Sequence, residues 1–156
     1  MTQLELPLGY HRDHLAIMTG EYLDMIIAGT KTIESRWYKN MIPPWHNINP
    51  DDTVYFKNTS KLVTVKAGVQ KAMFFEYNQN REKGLEIIKK YGKKIGIDEK
   101  YYDENCAHKN YCILVFLKDV QKLSEPFDID KTGYGSGCAW ITIKDIKQIM
   151  AKPNAL

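Results

Sequence analysis

Between Lys31 and Arg36 the chain places a primary amine, two hydroxyls, a carboxylate and a guanidinium in the run Lys31-Thr32-Ile33-Glu34-Ser35-Arg36. Charges crowded this closely pair with one another or serve a ligand. A guanidinium forks onto a phosphate or a base edge, an ammonium supplies a point charge, and a carboxylate accepts from an exocyclic amine. The same groups have catalytic uses: a lysine whose pKa is lowered by burial and by a neighbouring arginine acts as a base, and Glu34 as an acid or base. Spacing adds geometry. If the run is a strand, Ile33 and Trp37 point one way while Thr32, Glu34 and Arg36 point the other. Periodicity alone leaves a second reading, a solvated strand face whose Glu–Arg pair contributes little.

The elements around the run give it a setting. His14 to Met18 is short and apolar, as a buried strand is. Thr19 reads as an N-cap for a helix from Glu21 to Ala28, apolar over most of its face, and Gly29 is a natural stop. Thr53 to Asn58 and Lys61 to Phe75 read as a hairpin. In its second strand Val63, Val65, Ala67 and Val69 share one parity, and the pattern slips beside Gly68. Such a slip marks a bulge or corner of the kind that curves a small barrel. Residues 79–92 form a helix with Leu85, Ile88 and either Tyr91 or Ile87 on its buried stripe. Lys89, Lys90, Lys93 and Lys94 at its end complement the helix dipole or form a phosphate-attracting patch. A short helix follows around Asp98 to Asn105. Tyr111 to Leu117 is a central strand, Ser124 to Phe127 turns the chain, and Cys138 to Ile143 is a closing strand.

Other candidate sites are weaker. Trp45, with His46 in the Pro-rich loop between Lys39 and Asp52, is a lid over the core or a stacking platform. The loop Gly133-Tyr134-Gly135-Ser136-Gly137 precedes a strand, whereas phosphate-cradling loops open a helix. It reads instead as a flexible connection near a ligand mouth, with Tyr134 touching the ligand. Trp140 reads as core. Cys106, His108 and Cys112 have a zinc-like spacing but lack the second ligand pair of a structural site, so no metal is expected. His11, His14 and His46 have no obvious nucleophile beside them.

With 156 residues and a net charge of +3, the chain fits one domain and is only mildly basic, so an anionic partner would meet a local patch. The expected organisation is an arm over 1–13 and a single domain over 14–150. Three cysteines without CxxC spacing, and a start without a charged-then-apolar leader, lead us to expect a cytoplasmic protein that neither enters a membrane nor is secreted.

Gly29, Lys31, Glu34 and Arg36 together form Gly-x-Lys-x-x-Glu-x-Arg after a short helix, and the segment resembles the ASCH (activating signal cointegrator homology) family. His14–Met18, the loop and strand from Pro43 to Phe56, and the strand from Cys138 extend the likeness. The resemblance implies an α+β, mainly β fold: a small PUA-like β-barrel flanked by helices, acting in RNA metabolism. It implies a binding domain without cofactor that holds single-stranded RNA or a nucleotide in a cleft, with Lys31, Thr32, Glu34, Arg36, Trp45 and Tyr134 as contacts. The alternative is a small hydrolase of a modified nucleoside or an RNA strand, with Lys31 and Glu34 catalytic. The family's N4-acetylcytidine amidohydrolases carry a Thr nucleophile where this chain has Glu34. A third reading is a protein-interaction module with a protein partner.

Overall fold

The computed structural model describes residues 11–135 and 137–152. In chain order the elements are β1 (Asp13–Met18), α1 (Tyr22–Ala28), β2 (Ile33–Tyr38), β3 (Thr53–Asn58), β4 (Val63–Glu76), α2 (Arg81–Ile95), α3 (Glu99–Asn105), β5 (Tyr111–Phe127) and β6 (Trp140–Ile143), then a 3-10 helix, Ile146–Ile149. The expected arm lies outside the described residues over 1–10.

The strands form one sheet in the order β2-β5-β4-β3-β1-β6. The β1–β3 pair is parallel and the others are antiparallel. Long β4 and β5 carry the curvature. Their register shifts between Val63 and Val65, between Lys66 and Gly68, and between Val69 and Lys71. Each irregularity adds local twist, and the slip read at Gly68 is one of them. The sheet curls so far that Arg36 on the outermost strand, β2, donates to the carbonyls of Ile17 on β1 and Ala139 just before β6. The result is a curled half-barrel with helices, mostly β, whose open seam between β2 and β6 is crossed by a side chain rather than by a strand.

Two of the three hydrophobic clusters among the described residues follow from the curl. Inside it Phe56, Val54, Val65, Val69, Ile113 and Trp140 pack together with Leu23 and Ile26 of α1. Outside it Ile33, Trp37 and Leu114 of the sheet meet Ile87, Ile95, Tyr77 and Tyr102 beneath α2 and α3. Strand β2 is therefore covered on both faces, and its parity is as the alternation predicts.

Several local readings are corrected. Ser124 to Phe127 continues β5 instead of turning, because the start of β4 supplies a partner: Val63 pairs with Phe127. Helix α1 is preceded by Glu21 with no side-chain cap, not by a Thr19 cap. Helix α2 runs three residues beyond the expected end, from an Asn80 cap that accepts from the Lys83 N–H to Gly96 at φ 86°. Its most buried positions are Gly84, Ile87, Gly92 and Ile95, whereas Leu85, Ile88 and Tyr91 are half-buried. Among the described residues no helix is long and apolar enough to cross a membrane.

Candidate ligand-binding site

Helix α1 ends on Gly29 at φ 81°, a left-handed conformation that costs a glycine little. The N–H groups of Thr30 and Lys31 both donate to the Met25 carbonyl, and the Thr32 N–H donates to Lys94 at the end of α2. This tight exit turns the Lys31 side chain inward, where the residue is 2% exposed. Its ammonium lies 2.8 Å from the Ile33 carbonyl, 2.6 Å from the Ile95 carbonyl and 3.3 Å from Glu34 Oε1. All three N–H donors of the ammonium thus have acceptors.

Glu34 is buried beside it. Oε1 also accepts from the Ser35 N–H at 3.0 Å, and Oε2 accepts from Arg36 Nη2 at 3.0 Å. Arg36 then spans the seam, with Nη2 3.3 Å from the Ile17 carbonyl and Nη1 3.4 Å from that of Ala139. Its guanidinium carbon lies 5.2 Å from the ring centre of Trp140, within cation–π range. Arg36 Nε is buried and has no hydrogen-bond partner. These three side chains border a hollow of about 240 Å3, walled by Tyr22, Tyr38 and Tyr101, with Asn105 and Lys109 also lining it.

No family model matches the sequence, and no curated protein matches it. Solved structures do. ASCH from Zymomonas mobilis is 16% identical and superposes with a TM-score of 0.65 over 87% of this chain and 90% of that one. A point mutant of the same Zymomonas mobilis protein gives 0.67 at 16% identity over 89% and 93% of the two chains. The fold is that of an ASCH domain. In this fold the Gly-x-Lys-x-x-Glu-x-Arg run of the chain occupies the turn after α1 and the first four residues of β2.

The electrostatics of the trio are one-sided. Burial lowers the Lys31 pKa, Glu34 opposes that and Arg36 reinforces it. Burial alone would raise Glu34, yet Lys31 and Arg36 outweigh it and the carboxyl titrates below its ordinary value. Two cations around one carboxylate leave the trio with a net positive charge. Burial also pushes the Tyr101 phenol up to about 12 and raises Tyr22, so both walls stay neutral hydroxyl donors at neutral pH.

A pH dependence follows for Glu34. A carboxyl with a lowered folded-state pKa adds stability that is complete above its ordinary pKa of 4.5 and is lost as pH falls through the folded value. Denaturant titrations at pH 7 and pH 3.5 should show wild type losing more stability than Glu34→Gln. Equal losses would mean that the carboxylate is not held by its neighbours.

Not every residue singled out from the sequence joins the hollow. Lys31, Glu34 and Arg36 come together there. Thr32 is exposed ahead of β2. Trp45 packs on Phe74, Tyr111 and His46, with ring centres 4.9 to 5.4 Å apart. Tyr134, 42% exposed, lies on a neighbouring apolar groove with Ile42 and Pro43, which shares only its Tyr38 wall with the hollow. Cys112 is buried in the outer core away from the hollow, whereas Cys106, buried in the same core, also lines the hollow, and burial pushes its thiol up to about 12. Among the described residues no group of three or more His, Cys, Asp or Glu side chains is placed to hold a metal. Tyr22, Tyr38, Tyr101 and Asn105 line the hollow without a motif in the sequence that marks them. The available signal was Tyr101 and Asn105 one helical turn apart, on one face of α3.

Proposed function

We propose that this ASCH-type domain binds a nucleobase or nucleotide of single-stranded RNA in the hollow beside Arg36. The observation that carries the reading is a buried guanidinium with a donor left over. Four contacts hold Arg36 in place, and Nε still lacks an acceptor beside an aromatic-walled space. An unsatisfied buried charged donor is costly, so a ligand oxygen or ring nitrogen placed there has a large effect. Cytosine suits the trio: its ring carbonyl accepts from Arg36 and its exocyclic amine donates to Glu34. Tyrosine walls supply stacking surfaces, as single-strand recognition uses. The volume lies just below the roughly 300–1,000 Å3 of drug-sized pockets, which fits one base or nucleoside rather than a folded duplex.

Lys31 serves here as a structural cation. With its three donors engaged it has no lone pair to offer as a base, so the binding reading is preferred to a hydrolase. Calorimetric titration with cytidine and with a short single-stranded RNA tests the proposal. Arg36→Met should weaken binding roughly 10- to 100-fold, the effect of one charged hydrogen bond, while thermal melting checks that the variant folds. Equal affinity in wild type and folded Arg36→Met would overturn it. New products from N4-acetylcytidine or RNA, absent with Glu34→Gln, would favour the hydrolase.

A further inference from the structure

Behind Arg36 lies a second polar cluster that makes no direct contact with the hollow. Trp140 is 3% exposed, and the Arg36 guanidinium sits over its ring. The edge of that indole is anchored: Nε1 donates to His14 Nδ1 at 3.1 Å. An indole N–H only donates, so Nδ1 must accept and the imidazole proton sits on Nε2. From there it donates to Asp52 Oδ2 at 2.9 Å. Asp52 is locked in turn by the N–H groups of Arg12 and Asn49. The His14 and Asp52 side chains are 0% and 1% exposed, so water does not substitute for any member.

Thr142 gives the cluster a second arrangement. Its hydroxyl lies 3.0 Å from the same Nδ1 that accepts from Trp140. When His14 takes up a proton, Nδ1 becomes a donor facing the indole N–H. The new N–H is satisfied by Thr142 Oγ1 as acceptor, and the Trp140 N–H is left buried without a partner. The other charges about His14 are Asp52 on Nε2, Arg36 beyond the indole, and Asp13, whose carboxylate accepts from the Ile146 N–H and lies 3.7 Å from His11.

We infer that His14 is a positioning residue: through Trp140 it fixes the platform on which Arg36 rests, and its protonation releases that platform and weakens ligand binding in acid. The inference deepens the binding reading proposed above and rests on it for the affinity effect, but not for the proton arrangement.

The test has two arms. Nitrogen-15 NMR of the imidazole should show the neutral His14 ring as the Nε2–H tautomer, with the Trp140 indole N–H resonance moving when the ring takes up a proton. In wild type, cytidine binding should weaken at least threefold once that spectrum shows the imidazole protonated. Trp140→Phe keeps a ring under Arg36 but has no N–H to strand, so it should bind more weakly at pH 7.5 and show a flat profile. Thr142→Val removes the alternative acceptor and should bind like wild type at pH 7.5 with a smaller acid loss. A purely structural role predicts parallel profiles in all three proteins, which would overturn the inference, as would an Nδ1–H tautomer or a Trp140 resonance indifferent to His14. If cytidine does not bind any of the proteins, the function proposed above fails while the NMR arm still decides the switch.

Discussion

Replacing Lys31 with methionine should destabilise the fold by about 3–5 kcal/mol, the usual cost of removing one partner from a buried charged cluster. The substitution keeps a stem of four atoms, with sulfur in place of Cδ, and removes the ammonium at its end. Three acceptors then lose a donor together: the carbonyls of Ile33 and Ile95, and one oxygen of Glu34. The Ile95 carbonyl lies at the C-terminal end of α2, where a cation complements the helix dipole. For a chain of this length the loss corresponds to a fall of roughly 6–20 °C in melting temperature. Thermal and denaturant unfolding monitored by circular dichroism measures it. A loss below about 1 kcal/mol would show that the ammonium is not the tie between α2 and β2 described here. The result also bears on function, since a loss of ligand binding in Lys31→Met would report unfolding unless stability is measured beside it.

Gly84→Ala should be nearly as damaging, for a purely steric reason. A methyl group at this position of α2 would lie 2.0 Å from the Tyr102 hydroxyl oxygen and 2.3 Å from the ring carbon that bears it. Tyr102 cannot swing aside, because it is fully buried with the rings of Trp37 and Tyr77 packed against it at 5.9 and 6.1 Å. Alanine gains about 1 kcal/mol of helix propensity over glycine. Forcing atoms into a packed core costs about 1–3 kcal/mol and sometimes more, and contacts this short fall at the upper end. We expect a net loss of about 2 kcal/mol in denaturant unfolding. The Tyr102 hydroxyl is buried without a partner, so Tyr102→Phe should cost little and should relieve part of the Gly84→Ala defect. Additive losses in the double variant would mean that the two positions do not press on one another.

The parts of this molecule legible in its sequence are those governed by local rules. Alternation along 33–37 places Ile33 and Trp37 opposite Glu34 and Arg36, Gly29 ends a helix, and the parity slip at Gly68 marks a bend. What alternation does not reveal is that the polar face of β2 turns inward. That outcome depends on how far the sheet curls, hence on pairings such as Val63 with Phe127, made across a strand end that reads locally as a turn. The acceptor that defines the role of Lys31 lies 64 residues away on α2. Tyr101 and Asn105 reach the hollow only because α3 folds back over it. Trp45 illustrates the converse: the Pro-rich loop allows a lid over the core, and the structure packs the ring there, but the neighbours that claim it, Phe74 and Tyr111, come from β4 and β5 and are not marked in the local sequence.

The outer margin of β2 has a different consequence. The carbonyls of Thr32 and Tyr38 accept from Leu117 and Asn110, so in an antiparallel ladder the intervening odd residues aim their backbone groups away from β5. On that side the Ile33 oxygen is occupied by Lys31 and the Ser35 amide by Glu34. An unpaired margin ordinarily invites a foreign strand and, through it, aggregation. Here the motif's own side chains occupy two of the outward groups, the Ile33 oxygen and the Ser35 amide, so the ammonium and carboxylate that frame the hollow also interrupt the ladder that a second copy would need.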